Sequence, residues 1–211
     1  MPTQIERFSQ AVSEHAIDFN AQLTIEDIDR LSSYYELLLK WNPRLHQVAP
    51  CSPEEFATRH MLESLVLLPY LTKGARITDV GSGGGLPIVP CLIMRADLRA
   101  ILIESSPKKG VFLREVLKRL PNPAQLIVRR FEDISAPATD FVTCRALDQF
   151  PRLLPALIEW APRSSTLLLF VGAALRERVE VLIPSIHEEL IPGSEQRFLI
   201  LARRDDYQSE R

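Results

Sequence analysis

The segment that most constrains this chain is ITDVGSGGGLP, residues 77–87. A short apolar run leads into a stretch where four of five residues are glycine, and a proline then opens the next apolar run. Glycines let a backbone turn sharply and approach a ligand closely, and a helix that starts just afterwards offers unpaired N–H groups to a polar ligand. Strand, glycine turn and helix in that order build a nucleotide-type pocket at the edge of a parallel sheet. A turn without a ligand is the weaker reading, given the strand before it and the helix after it.

Spacing narrows the ligand. A dinucleotide fingerprint needs glycines at GxGxxG; Gly81 and Gly83 match, but the third position holds Leu86, and the glycines run Gly81, Gly83, Gly85 instead. Asp79 precedes the turn, and Glu104 closes a second apolar run, where an acid accepts both ribose hydroxyls through its two oxygens. That acid favours an adenosine ribose without a 2′-phosphate. A nicotinamide dehydrogenase is therefore the less favoured reading.

The rest of the chain supplies a frame for such a loop. Strand-like runs fall at residues 77–80, 100–104, 125–128, 141–144, 166–171 and 196–203, with helical stretches at 87–94, 107–120, 150–160 and 173–183. That alternation predicts βαβ units, a parallel sheet and right-handed crossovers. Upstream, the pattern is helical. Thr24 with Asp27 opens one helix that the Asn42-Pro43 pair should break, and Ser52-Pro53 opens another that should close near Pro69 or Gly74. The expectation is an α/β domain over 74–211, with an N-terminal helical extension over 1–73, as one compact unit. With 211 residues and 46% hydrophobic side chains, the chain is long enough for that core.

Composition excludes several classes. Cys51, Cys91 and Cys144 are far apart and form no CxxC pair, so neither a disulfide framework nor a metal site is expected. No uncharged apolar run approaches the roughly 18 residues of a membrane span, and the first residues lack the basic and apolar regions of a signal peptide, so the expected location is the cytoplasm. Net charge is −2, but residues 1–60 hold 5 basic and 9 acidic side chains while residues 100–152 hold 9 and 6. An anionic partner is therefore expected at the middle of the chain, where Lys108, Lys109, Arg114, Lys118, Arg119, Arg129 and Arg130 cluster; a solvated helix face is the competing reading.

Asp79, the GxGxG loop and Glu104 resemble the S-adenosylmethionine-dependent methyltransferases of Rossmann-like fold. Further blocks resemble one family among them: residues 39–42 (LKWN), 60–64 (HMLES), 79–90, 103–109 (IESSPKK) with Phe112-Leu113, and Cys144-Arg145-Ala146. Together, in this order, they are similar to the ribosomal RNA small-subunit methyltransferase G (GidB) family over about residues 34–172. The resemblance implies methylation of guanine N7 in 16S ribosomal RNA, as free RNA or in a small-subunit precursor, with S-adenosylmethionine as cofactor. Carried over by position, Gly81 and Leu86 line the cofactor, Glu104 binds its ribose, Phe131 and Glu132 flank its adenine, and Arg145 contacts it; Gly83 and Gly85 of the same loop are further candidate cofactor contacts. His60, Lys108, Lys109 and Arg130 are the candidate substrate contacts.

The chain departs from the family pattern at His46-Gln47-Val48 (usually Asn-Leu-Thr), Glu63 (Asp), Ile88 (Gly) and Val171 (Lys). The departures favour intact cofactor binding with altered substrate handling, and predict that Val171→Lys raises activity; a non-catalytic RNA-binding or ribosome-binding role is the alternative they suggest. No catalytic base is expected, because guanine N7 carries a lone pair and no proton. His60, among Phe56, Met61, Leu65 and Leu68, also reads as a core or interface histidine. Cys144 reads as a buried thiol rather than a nucleophile.

Overall fold

The computed structural model describes residues 1–206. Its strands are β1 (Arg76–Val80), β2 (Arg99–Ile103), β3 (Ala124–Ile127), β4 (Phe141–Arg145), β5 (Thr166–Gly172), β6 (Ile186–Leu190) and β7 (Arg197–Arg203). They form one sheet in the order β3-β2-β1-β4-β5-β7-β6, parallel throughout β1 to β5 and antiparallel where β7 joins β5 and β6. The strand order reverses between β1 and β4. In an open parallel sheet that reversal leaves a crevice at the carboxyl ends of the strands, so the ligand edge is fixed by topology.

The helices are α1 (Gln4–His15), α2 (Ile25–Leu45), α3 (Pro53–Phe56), α4 (Glu63–Leu65), α5 (Ile88–Met94), α6 (Pro107–Leu117), α7 (Phe150–Trp160) and α8 (Ala173–Leu182). Two buried clusters cover the two sheet faces. Phe8, Leu31, Tyr35 and Phe56 of the N-terminal helices pack in one cluster with Leu92, Leu102 and Phe112. Leu154 and Val179 pack with Val142 and Leu167 in the other. The helical extension thus shares its core with the sheet, and α2 packs on α5 and α6, reaching the glycine loop through Tyr34.

Local chemistry explains where these elements differ from the sequence pattern. Helix α2 runs through Pro43 to Leu45, because the proline comes at the last turn and Asn42 closes the end: its side chain donates to Val48 O and accepts from Val48 N, both at 3.0 Å. Strand β6 was not anticipated. Its sequence, IHEEL, has no continuous apolar run, and its place at the sheet edge leaves it half-exposed. Between α3 and α4 the chain makes a π-helical turn over Ala57–Leu62, a widened geometry that often accompanies functional positions.

Candidate functional site

The glycine loop leaves β1 and is tied down on three sides. Gly81 and Ser82 N–H both donate to Ile103 O, at 2.9 and 3.1 Å. Gly83 N–H donates to Glu104 Oε2 at 2.8 Å, and Ser106 N–H donates to Glu104 Oε1 at 2.7 Å. From α2, the buried Tyr34 hydroxyl donates to Gly84 O. Two glycines are required by geometry: at Gly81 (φ +75°) a Cβ would stand 2.8 Å from Leu147 Cδ1, and at Gly85 (φ +89°) it would stand 2.6 Å from Val89 Cγ2.

Asp79 lies under this loop. Thr143 Oγ1 donates to its Oδ1 at 2.7 Å, while Oδ2 is buried without a partner. Burial pushes the carboxyl up to about 7, with the nearby Glu104 charge adding to the rise. Asp79 is only 1% exposed, so it supports the loop from beneath.

A cavity of about 310 Å³ opens between the loop and the turn after β4, lined among others by Gly81, Ser105, Phe131, Glu132 and Leu147. Phe131 is fixed edge-on against Trp160, with ring centroids 5.6 Å apart, and Glu132 accepts from Arg130 at 2.8 Å. An apolar ring, close-approach backbone and carboxylates fit a nucleoside with vicinal hydroxyls and a cationic tail. Gly81, Phe131, Glu132 and Arg130 line this cavity. Gly83 and Gly85 shape the loop, with Leu86 following. The Glu104 carboxylate is engaged by the loop itself, a contact that the sequence did not disclose.

Arg145 goes elsewhere. Its guanidinium donates to Arg59 O at 2.6 Å and meets His60 Nδ1 at 3.2 Å, with Glu63 Oε1 at 3.4 Å and the Phe170 ring centroid at 5.5 Å. Because a guanidinium only donates, His60 Nδ1 is the acceptor and the ring proton sits on Nε2. Burial, reinforced by Arg145, Arg59 and Arg197, lowers the histidine to about 3, so it stays neutral. These residues line a second cavity of about 320 Å³ together with Phe150, Val171 and Phe198. Arg145 and His60, expected at cofactor and substrate respectively, thus share one wall.

Arg197 is the residue that sequence reasoning missed. It opens β7 more than fifty residues after Arg145 with no motif around it, and only the pairing of Gly172 with Arg197 brings it to the site. It donates to Glu63 Oε2. Val171, 5% exposed, lines the same cavity, so the space where a lysine was expected already holds a cation from the neighbouring strand.

The two cavities meet at the turn after β4. Ala146 and Phe150 line the second, while Leu147, Asp148 and Gln149 line the first. Within this turn Ala146 (φ +51°) and Gln149 (φ +52°) both hold the left-handed conformation, which costs a residue with a side chain about 1–2 kcal/mol each. Such cost concentrates at functional sites. Lys108 is exposed and Lys109 half-buried on the first turn of α6. Cys144 is fully buried and its thiol is pushed well up by desolvation, which leaves it inert as a nucleophile. Among the described residues no cluster suits a metal ion, and no helix is long and apolar enough to cross a membrane.

Comparison with known proteins bears on family and fold. A family model described as rRNA small subunit methyltransferase G matches residues 27–186. The ribosomal RNA small subunit methyltransferase G of Xanthomonas campestris pv. campestris (strain B100) is 34% identical over 183 residues, covering 83% of this chain and 86% of that protein. The protein of the same name from Chromobacterium violaceum is also 34% identical, covering 80% of this chain and 88% of its own length. Among solved structures, magnesium protoporphyrin IX methyltransferase from Synechocystis PCC 6803 with bound SAM superposes at TM-score 0.58 and 15% identity, over 87% of this chain and 99% of that one. That likeness shows the fold, a Rossmann-like methyltransferase architecture.

Proposed function

Because this chain belongs to the rRNA small subunit methyltransferase G family, we propose that it transfers a methyl group from S-adenosylmethionine to N7 of a guanine in 16S ribosomal RNA, in the cytoplasm. The observation that carries the reading is the cavity between the glycine loop and Phe131-Glu132, at the strand reversal of the sheet. S-Adenosylmethionine, when bound, supplies an electrophilic methyl on a sulfonium.

The chain's own contribution is binding and orientation. Gly81 allows the backbone to approach, Phe131 offers an apolar face to the adenine, and Glu132 lies beside it. Glu104 holds Gly83 and Ser106 while keeping lone pairs for the ribose hydroxyls. No residue needs to remove a proton, since guanine N7 has none. Catalysis is then positional, and holding reactants in line contributes several kcal/mol, on the order of 7–11 at the upper end for well-oriented intramolecular reactions. Exposed Lys108, Arg114 and Arg129, with Arg130 at the cavity rim, give ribosomal RNA a basic approach on the same side as α6.

The test is to incubate the purified protein with radiolabelled S-adenosylmethionine and 16S ribosomal RNA or small subunits, digest to nucleosides and identify the labelled product. Label in 7-methylguanosine is expected. Label in another nucleoside refutes the N7 assignment, and a melting temperature raised by NAD but not by S-adenosylmethionine refutes the cofactor.

A further inference from the structure

We infer that the second cavity is the guanine-reading site, and that Glu63, clamped between Arg145 and Arg197, accepts hydrogen bonds from the N1–H and 2-amino groups of the base. The inference deepens the methyltransferase reading and rests on it.

The chemistry of the cavity separates into two ends. Phe150, Phe170, Val171 and Phe198 give apolar walls, and Glu63 with three arginines gives a charged end. The Glu63 side chain is only 4% exposed, yet it is held by Arg197 and faces Arg145 at 3.4 Å. A buried carboxylate costs several kcal/mol unless it is paired, and one arginine would suffice for that. Two arginines hold it in one orientation; the third guanidinium lining the cavity, Arg59, is paired with Glu55 at 2.6 Å, so Arg145 and Arg197 stand against the one buried carboxylate. Flat apolar walls that end in a fixed carboxylate and guanidinium donors complement a planar base carrying two adjacent donors and a carbonyl oxygen.

Among the RNA bases, guanine alone presents that set. Its N1–H and 2-amino groups donate and its O6 accepts, whereas adenine offers an unprotonated N1 that a carboxylate repels. The opposite edge of guanine carries N7. A base gripped by its N1 edge at Glu63 therefore leaves N7 free, which the usual arginine grip on O6 and N7 would not. The wall shared with the first cavity is the turn that holds Ala146 and Gln149 in left-handed conformations, so the acceptor and donor spaces are neighbours. The π-helical turn that brings Arg59 and His60 to the same end is a further local distortion spent on this cavity.

The experiment saturates the first cavity with S-adenosylhomocysteine and titrates GMP, IMP and AMP by calorimetry or ligand-observed NMR. The expected order is GMP tighter than IMP, and IMP tighter than AMP, with GMP over AMP by about tenfold. Glu63→Gln should collapse that preference to under about threefold while leaving S-adenosylhomocysteine affinity unchanged, since Glu63 lies outside the first cavity. Arg197→Met, which frees one side of the carboxylate, should reduce the preference as well and serves where Glu63→Gln fails to fold. Equal binding of GMP and AMP, which signals phosphate recognition alone, overturns the inference. So does a preference that survives both substitutions. Wild-type protein that does not bind S-adenosylhomocysteine overturns instead the methyltransferase reading beneath it.

Discussion

Replacing Glu104 by Gln should unfasten the glycine loop before any ligand is added. In the folded protein the two carboxylate oxygens accept from Gly83 N–H at 2.8 Å and Ser106 N–H at 2.7 Å, and the residue is 6% exposed. A glutamine has one carbonyl oxygen and one NH2 group. At best it keeps one of the two bonds, now uncharged, and turns a donor toward the other N–H. Losing the charge from one bond costs about 1 kcal/mol, and leaving a partly buried N–H unpaired costs about 1–3 kcal/mol. Removing the charge also relieves Asp79, whose carboxyl it helps to raise, and this offsets a small part. The net loss is about 2–4 kcal/mol, which at roughly 2–4 °C per kcal/mol for a domain of this size lowers Tm by on the order of 5–15 °C. Calorimetric melting of the ligand-free variant measures the loss, and titration with S-adenosylmethionine should show at least a tenfold weaker Kd. If Glu104 acted on the ribose alone, only the affinity would fall. A ligand-free Tm within about 2 °C of wild type would refute the argument.

Tyr34→Phe removes the hydroxyl that donates to Gly84 O, so stability should fall by about 1 kcal/mol and KM for S-adenosylmethionine should rise several-fold with kcat less affected; a change in kcat alone would contradict a loop-positioning role. Val171→Lys should lower activity and stability, since it buries an ammonium in a cavity already holding three arginines, and rising methyl transfer would show that Arg197 does not replace a lysine there. Asp79 and His60 should act on acid stability in opposite senses. Asp79 is raised to about 7, so its folded form holds a proton that the unfolded chain has lost, and its contribution declines as pH rises from about 4 to about 7. His60 is lowered to about 3, so its contribution is complete above about 6.5 and is lost as pH falls toward 3. Urea midpoints across pH 4–6.5 should therefore rise with pH in Asp79→Asn and fall with pH in His60→Asn; parallel profiles for wild type and both variants would refute the assignment.

The loop, its following acid and the alternation of strand and helix were legible in the sequence because each rests on local chemistry. Glycine conformation, proline at a helix start and apolar periodicity act over a few residues. The start of α2 at Thr24 was legible for the same reason, but its end was not: the expected break at Asn42-Pro43 gave way to a helix that runs to Leu45, with Asn42 folding back onto Val48. The Phe131-Glu132 pair was legible only through resemblance, since nothing in two residues says which cavity they line. Tertiary structure alone decided the rest. Strand β6 exists because β7 offers it an edge, not because IHEEL favours a strand by itself. Arg145 followed its strand to the expected height, but the direction of its guanidinium was set by Arg59, His60 and Glu63 from the helical extension, more than 80 positions away. Arg197 reached the same carboxylate through antiparallel pairing with β5, across more than 130 positions. Local propensity carries no record of such distances; a charged end for the second cavity arises only when two sheet strands and a helical turn close on one carboxylate.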